Sequence, residues 1–322
     1  MSNIALLVEP GSTPSSVAIT LDIFRVAERY TPEHPFQIRL YSAAGGEVAL
    51  SPALRVQTEP LSDRFEGFDA VILPGFFSLD LEALVGKLET QWRPVIERLT
   101  ALQAVPLVAA SCYGTFVLAE SGLLEGRMAT TTWWLRESFH QRYPGVRLNA
   151  DRALVDDGSI LTAGAMTAHS DLSLHLLRRL RGHAVARQVS SVMLVDEGRS
   201  SQLPFEVLQR RYSESLTDEA IAWMECRLAE DFSFDELAAS LHVSYRTLHR
   251  RFHAVTGMAP LRYLQALRVE RAKELLETTR KGVEQVALDV GYADASSFRR
   301  LFARITSQTP SQYRQRFRDS GG

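Results

Sequence analysis

Apolar residues recur in two different rhythms along this chain, and the change of rhythm divides it. Through residues 1–195, short and nearly continuous apolar runs alternate with stretches of helical spacing. The runs at 4–8, 36–42, 54–58, 69–73 and 105–110 read as strands, with a shorter one near Met128. Between them, 17–30, 81–102 (broken before Pro94), 115–121, 133–143 and, last, 171–181 carry apolar positions at helical spacing. Two further short runs, 153–155 and 159–162, flank Asp157-Gly158 and predict a hairpin. Alternation of this kind predicts an α/β domain with a mostly parallel sheet and helices on both faces. Ligands of such sheets bind beyond the carboxyl ends of the strands. Residues 196–215 are mixed, polar and punctuated by Gly, Ser and Pro, which reads as a linker. From 216 to 322 the spacing is helical throughout, opening with an amphipathic stretch at 216–230, and predicts a second, all-α domain.

The second domain repeats itself. At an offset of fifty residues Leu248, Phe252, Thr256, Pro260 and Tyr263 fall on Phe298, Phe302, Thr306, Pro310 and Tyr313, and Arg250 on Arg300. Upstream the offset is forty-nine, pairing Ala238 with Ala287 and Val243 with Tyr292. A period of this length means one supersecondary unit used twice. Each copy reads as two helices across a tight turn. In the first, Ser233 and Glu236 have capping-box spacing. Leu237, Ala238 and Leu241 face inward, Ser244 caps the next helix, and Leu248, Phe252 and Val255 are its buried face. Arg246, His249, Arg250 and His253 are left outside. In the second copy Val286, Ala287, Val290, Phe298, Phe302 and Ile305 face inward, Gly291 makes the turn, and Ser296, Ser297, Arg300 and Arg304 face out.

Charge separates the domains as sharply as spacing does. From Ser240 onward there are fifteen Arg/Lys against seven Asp/Glu, which leaves twenty-one against thirty-one before it. An acidic body thus carries a basic end, the electrostatic footprint of a nucleic-acid partner. The 84 residues from Phe234 to Phe317, through LAASLHVSYRTLHRRFHAVTGMAPLRYL, LRVERAKELL and VALDVGYADASSFRRLFARITSQTPSQYR, resemble the DNA-binding domain of AraC-type regulators. That resemblance implies two recognition helices in successive major grooves, joined by a long helix at 260–276. It assigns base contacts to Arg246, His249, Arg250, Ser296, Ser297 and Arg300, Arg being suited to guanine. Arg304 and Arg314 are placed as phosphate contacts. His242 stands in the first turn where glycine is expected.

Candidate chemistry in the first domain centres on VPLVAASCYGTF, where a buried strand runs into Cys112 and a helix leaves at once. That is the pattern of a nucleophile elbow, with the thiol at a helix N-terminus that favours thiolate. With LLVEPG, FDAVILPG, ASCYGTFVLAESGLLEGRMATT and RYPGVRLNADRALVDDGSILTAGAMTAHSDLSLHLL, the domain resembles the PfpI-type, glutamine-amidotransferase-like superfamily. Together with the repeat, nearly the whole chain resembles GlxA-family regulators. Catalytic members of the superfamily pair the cysteine with a following histidine and an early glutamate. Here Tyr113 and Ser16 stand at those positions, with Asp22 too far along the helix. Thr132 stands where many such regulators carry histidine after the Thr-Thr pair. With no base to activate sulfur, no catalytic residue is expected and Cys112 is read as a vestigial nucleophile position.

The resemblance instead implies a small-molecule effector of amine or amino-acid-like character. The expected pocket is Ser16, Gly75, Phe76, Cys112, Tyr113, Thr132, Trp133, Ala165, Met166 and Thr167, with cation–π contact at its aromatics. A homodimer is implied by the family and by half-site logic. The expected protein is a cytoplasmic transcription regulator binding double-stranded DNA. The alternatives are a cysteine-dependent amidase or hydrolase with an accessory DNA-binding domain, and an architectural DNA-binding protein whose first domain only dimerises. Two scattered cysteines exclude a disulfide scaffold, and Cys226 among Ile221, Trp223, Met224 and Leu228 reads as buried packing. No metal spacing, cofactor motif, signal peptide or membrane span is read from the chain.

Overall fold

The computed structural model describes residues 1–62, 65, 67–100, 105–195, 200–206, 216–256 and 258–318. They fall into two compact units, Met1–Gln202 and Leu203–Gly322.

The first unit runs β1 (Ser2–Leu7), α1 (Pro14–Glu28), β2 (Phe36–Ser42), β3 (Gly46–Ser51), β4 (Leu54–Pro60), β5 (Ala70–Leu73), α2 (Leu81–Glu89), α3 (Arg93–Leu99), β6 (Leu107–Ser111) and α4 (Gly114–Glu120). It continues through β7 (Met128–Ala129), a 3₁₀ turn at Trp133–Leu135, α5 (Arg136–Arg142), β8 (Arg147–Leu148), β9 (Leu154–Asp157), β10 (Ile160–Ala163), α6 (Ala168–Arg181) and α7 (His183–Met193). Eight strands form one sheet in the order β3-β4-β2-β1-β5-β6-β10-β9. Its interior pairs are parallel, while β3–β4 and β9–β10 at the two edges are antiparallel.

The apolar runs are continuous because the sheet is covered on both faces. Alternation sorts them: Ala5, Leu7, Val71, Leu73, Val108 and Ala110 enter one core layer, beneath Leu84, Val95, Phe116 and Phe139. Ile4, Leu6, Ala70, Ile72, Leu107 and Ala109 enter the other, beneath Phe24, Leu172, Leu176 and Val189. The chain leaves β1 to one side for β2 and returns on its other side as β5. The loops after β1, β5, β6 and β10 therefore gather at the carboxyl edge of this switch point, where open α/β sheets bind ligands.

Several elements depart from the reading of the sequence. β3 and β8 join the strands, β3 with only two of its six residues buried and β8 only two residues long. The helical stretch from 81 is broken before Pro94 as expected, at Thr90–Trp92; positions 101 and 102 lie outside the described residues. The helix expected at 171–181 begins at Ala168 and is followed, after Gly182 at φ 84°, by α7, so it is not the last of the first unit. The segment 200–202 belongs to the first unit, a 3₁₀ turn occupies Leu203–Phe205, and 196–199 and 207–215 of the expected linker lie outside the described residues.

The second unit is all helical: α8 (Leu216–Cys226), α9 (Phe234–Ser240), α10 (Tyr245–Thr256), α11 (Pro260–Thr278), α12 (Val283–Asp289), α13 (Ala295–Thr306) and α14 (Pro310–Arg318). It has two cores. Met224, Leu237, Leu248, Phe252 and Tyr263 fill the first; Leu276, Val286, Phe298, Phe302 and Tyr313 fill the second. α11 serves both, giving Leu264 and Leu267 to one and Val269, Ala272 and Leu276 to the other. Each fully buried Phe contributes roughly 1.5–3 kcal/mol over leaving it in water. Two expectations fail here. Val255 is 47% exposed, because the last turn of α10 runs past the core that Leu248 and Phe252 enter. Cys226 is exposed, because Ala220 and Met224 hold the buried face of α8 and position 226 lies off it.

Candidate nucleic-acid interface and effector pocket

In each repeat a short first helix packs across the second, and the second turns one polar face outward. The capping box at Ser233 starts α9: Ser233 Oγ accepts from the Glu236 N–H at 3.2 Å and Glu236 returns the bond at 3.2 Å. Ser244 Oγ accepts from the Thr247 N–H at 3.2 Å and caps α10. In the second repeat Asp294 accepts from the Ser296 and Ser297 N–H groups at 3.0 and 2.8 Å and caps α13. Hydrogen bonds from the Ser297 side chain and these two amides hold the Asp294 carboxyl down at about 2.

With Leu248, Phe252, Phe298 and Phe302 buried, helical geometry leaves Arg246, Arg250, Ser296 and Arg300 exposed. His249 and Ser297 are half-buried beside them. His249 meets Tyr245 edge-on at 5.9 Å and stacks on His253 at 6.4 Å between ring centres. Arg300 is braced by Ser297 Oγ at 2.9 Å. Arg304 is exposed and reaches Gln265 at 3.5 Å, whereas Arg314 is half-buried and donates to the Lys281 carbonyl at 2.6 Å. The structure therefore brings the eight sequence-read residues onto one unit, seven of them on α10 and α13 and Arg314 on α14.

The loops of the first unit converge on Cys112. It has φ 54°, the left-handed region that L residues rarely adopt. Its N–H donates to the Ala163 and Gly164 carbonyls at 3.0 and 2.8 Å, and its carbonyl accepts from Thr131 Oγ1 at 3.2 Å. A Cβ at Gly75 would stand 2.8 Å from Cys112 Cβ, so only glycine lets that loop approach. The Gly75 carbonyl in turn accepts from the Thr13 N–H at 2.8 Å, bringing the start of α1, with Ser16, alongside. Ser16 Oγ, Thr115 Oγ1 and Thr132 Oγ1 are buried and have no hydrogen-bond partner among the described residues.

The expected thiolate is not what this setting favours. Burial pushes the Cys112 thiol up to about 12, against the one amide, from Tyr113, that lowers it. The helix N-terminus is outweighed by desolvation. Around the cysteine, Phe76 is core: its ring packs 5.1 Å from Trp92 and 5.8 Å from Tyr113, and it is 2% exposed. Tyr113 accepts from Trp134 Nε1 at 3.0 Å, and Trp133 meets Trp134 edge-on at 5.3 Å. Tyr113 and Trp133 stay half-buried, while Met166 and Thr167 are exposed at the rim.

Two residues escaped the reading of the sequence. His169 of α6 is fully buried, its Nδ1 2.7 Å from Ser111 Oγ and its Nε2 2.7 Å from Thr20 Oγ1. Burial lowers its pKa to about 4, so it is neutral and braces the strand end that carries Cys112. Gln202, assigned to the linker, is buried: its amide donates to the Thr131 and Ala150 carbonyls at 2.9 Å each and accepts from the Ala165 N–H at 3.0 Å. It thus ties two loops of the cysteine site to the last residue of the first unit. A cleft of about 180 Å³ between α6 and β9 shares no residue with the sequence-read pocket. Among the described residues, no cluster of three or more His, Cys, Asp or Glu is placed to hold a metal, and no helix is long and apolar enough to cross a membrane.

The class defined by these parts is a doubly wound α/β unit with a strained cysteine turn, joined to a unit of two helix-turn-helix repeats. The DJ-1/PfpI family matches residues 3–179, and a helix-turn-helix domain family matches 237–316. The HTH-type transcriptional regulator CdhR of Pseudomonas aeruginosa is 30% identical over 312 residues, covering 96% of this chain and 90% of its own. The HTH-type transcriptional regulator GbdR of the same species is 26% identical over 321 residues, covering 97% and 84%. A crystal structure of a protein from Vibrio parahaemolyticus shares the α/β fold, with a TM-score of 0.52 at 16% identity, over 60% of this chain and 98% of its own. The chain belongs to the DJ-1/PfpI family and joins that domain to an AraC-type helix-turn-helix domain.

Proposed function

We propose that this protein is a cytoplasmic, homodimeric transcription regulator that reads double-stranded DNA with α10 and α13 and answers to a small molecule held in its α/β unit. The observation that carries the reading is the pair of equivalent recognition helices, each with an exposed Arg-bearing face over a buried aromatic core. The regulators CdhR and GbdR, similar along nearly their full length, support it. Arg246, His249, Arg250, Ser296, Ser297 and Arg300 read bases, and Arg304 and Arg314 hold phosphates. Selection from randomised duplexes tests this: one defined site should be enriched, with affinity falling steeply as salt rises. Binding without sequence preference would leave the architectural alternative standing.

The effector site is the loop cluster around Cys112. Ser16 and Thr132 supply buried hydroxyls that have no partner among the described residues, and Tyr113 and Trp133 supply aromatic surface for an amine or amino-acid-like ligand, with Gly75, Phe76 and Ala165–Thr167 shaping the walls. The protein is not an enzyme in this reading, because Cys112 is a buried thiol and the nearby His169 is engaged at both ring nitrogens. A thermal-shift screen of amines, betaines and amino acids, repeated with Trp133→Ala, tests the site. A binder at a hundred times its dissociation constant adds about 2.7 kcal/mol. An effector response retained in full by Trp133→Ala removes the aromatic wall, and product release from amides that Cys112→Ser abolishes restores the hydrolase.

A further inference from the structure

The cleft between α6 and β9 lies outside everything assigned so far. α6 gives it Asp171, Leu174, His175 and Arg178, at spacings of three, four and seven that put them on one helical face. Arg152 and Leu154 form the facing wall, and Ser200 closes one side. Leu154 and Leu174 make an apolar floor, while Arg152, Asp171, His175, Arg178 and Ser200 supply the polar lining.

His175 is already engaged by a neighbouring acid. Asp156 accepts from His175 Nε2 at 2.7 Å, from Arg179 Nη1 at 2.9 and 2.8 Å, and from the Gly158 N–H at 3.0 Å. Arg152 is held differently. Its carbonyl accepts from Thr130 Oγ1 at 2.8 Å and Gln202 Nε2 at 3.1 Å, and its N–H donates to the Asn149 carbonyl at 3.2 Å. Its backbone is therefore fixed, yet its guanidinium makes no hydrogen bond or ion pair among the described residues. A planar, permanently charged fork suits a carboxylate or a phosphate, and the apolar floor of Leu154 and Leu174 beside it favours a carboxylate carried on a carbon chain.

We infer that this cleft binds a small carboxylate-bearing molecule, its acid group on Arg152 and its carbon chain over Leu154 and Leu174. The position has a consequence. The Ala153 N–H donates to the Ser200 carbonyl at 3.2 Å, Ser201 bridges Arg152, and the Gln202 N–H donates to the Asp151 carbonyl at 2.8 Å. An occupant therefore touches the backbone that seats residues 200–202, immediately before the second unit begins at Leu203. The inference is independent of the Cys112 pocket.

Isothermal titration of the full chain with acetate, succinate, glutarate and glutamate, using acetamide and succinamide as controls, tests it. At least one carboxylate should bind saturably while its amide does not. Arg152→Gln should weaken binding about tenfold or more, the loss expected for a charged hydrogen bond, and Arg152→Lys should restore part of it. Cys112→Ser and Trp133→Ala should leave it unchanged. The inference is overturned if none of the four acids binds, if Arg152→Gln binds like the parent protein, or if the Cys112 and Trp133 variants abolish binding that Arg152→Gln retains.

Discussion

In the first repeat the turn between helices is carried by His242 at φ 56°; in the second it is carried by Gly291 at φ 82°. The backbone does the same thing twice, and the surroundings explain the different residues. A Cβ at Gly291 would stand 2.8 Å from the Arg268 guanidinium and 2.9 Å from the Leu228 carbonyl. That guanidinium cannot step aside cheaply. Arg268 donates to the Leu228 and Glu230 carbonyls at 2.9 and 3.0 Å and lies over the Tyr292 ring at 5.3 Å. His242 is exposed, so its turn bears only the conformational cost, about 1–2 kcal/mol. A residue preference is obeyed where packing leaves no slack and relaxed where solvent is the neighbour.

The repeats also divide their capping differently. The first spends a capping box on its leading helix, α9, whereas the leading helix of the second, α12, starts at Gly282 without a side-chain cap. The second repeat places its charged cap, Asp294, on the recognition helix itself. The first repeat presents Arg246 and Arg250 to the outside, the second Ser296 and Arg300.

Gly291→Ala should show the sharpest asymmetry. Left-handed strain and the collision with Arg268 and Leu228 together should destabilise the helical unit by about 3 kcal/mol, read as faster amide exchange in α12 and α13. The matching change, His242→Ala, should be nearly silent; equal effects at the two turns would break the comparison. Next in size, Arg250→Ala and Arg300→Ala should each cost ~1–3 kcal/mol of binding to the selected site. Smaller still, His242→Gly should stabilise the first repeat by about 0.5–1 kcal/mol, strain relief being partly offset by the entropy of glycine. The mildest effect concerns acid. The Asp294 carboxyl sits below its ordinary range, so its stabilisation is complete above about 4 and is lost as pH falls toward about 2. Thermal unfolding of Asp294→Asn should lack that increment of acid sensitivity, and an unchanged pH profile would remove the cap from the account.

Much of this is legible in the amino-acid sequence. The repeat was visible because buried positions such as Phe252 and Phe302 recur at one offset, and the apolar runs of β5 and β6 because a parallel sheet buries both faces. The exceptions have physical causes. β3 is an edge strand with only Val48 and Leu50 buried, too weak an alternation to read. Val255 keeps helical spacing but outruns its core, and Cys226 is apolar by neighbourhood while standing on the wrong face. The loops around Cys112 were placed by the strand-to-helix pattern, but the burial that neutralises the thiol depends on Gly75, Thr131 and Gly164, which are distant in sequence. Gln202 looked like linker because its partners, Thr131, Ala150 and Ala165, lie 37 to 71 residues away.

The central claim is that two equivalent helices read two separate stretches of one DNA site. Repeating the randomised-duplex selection with Arg250→Ala and with Arg300→Ala tests it most directly. The account predicts that each variant loses base preference in its own block, the two blocks lying about one helical turn, 10–10.5 base pairs, apart. If both variants relax the same bases, or neither relaxes any, the two-helix reading is contradicted.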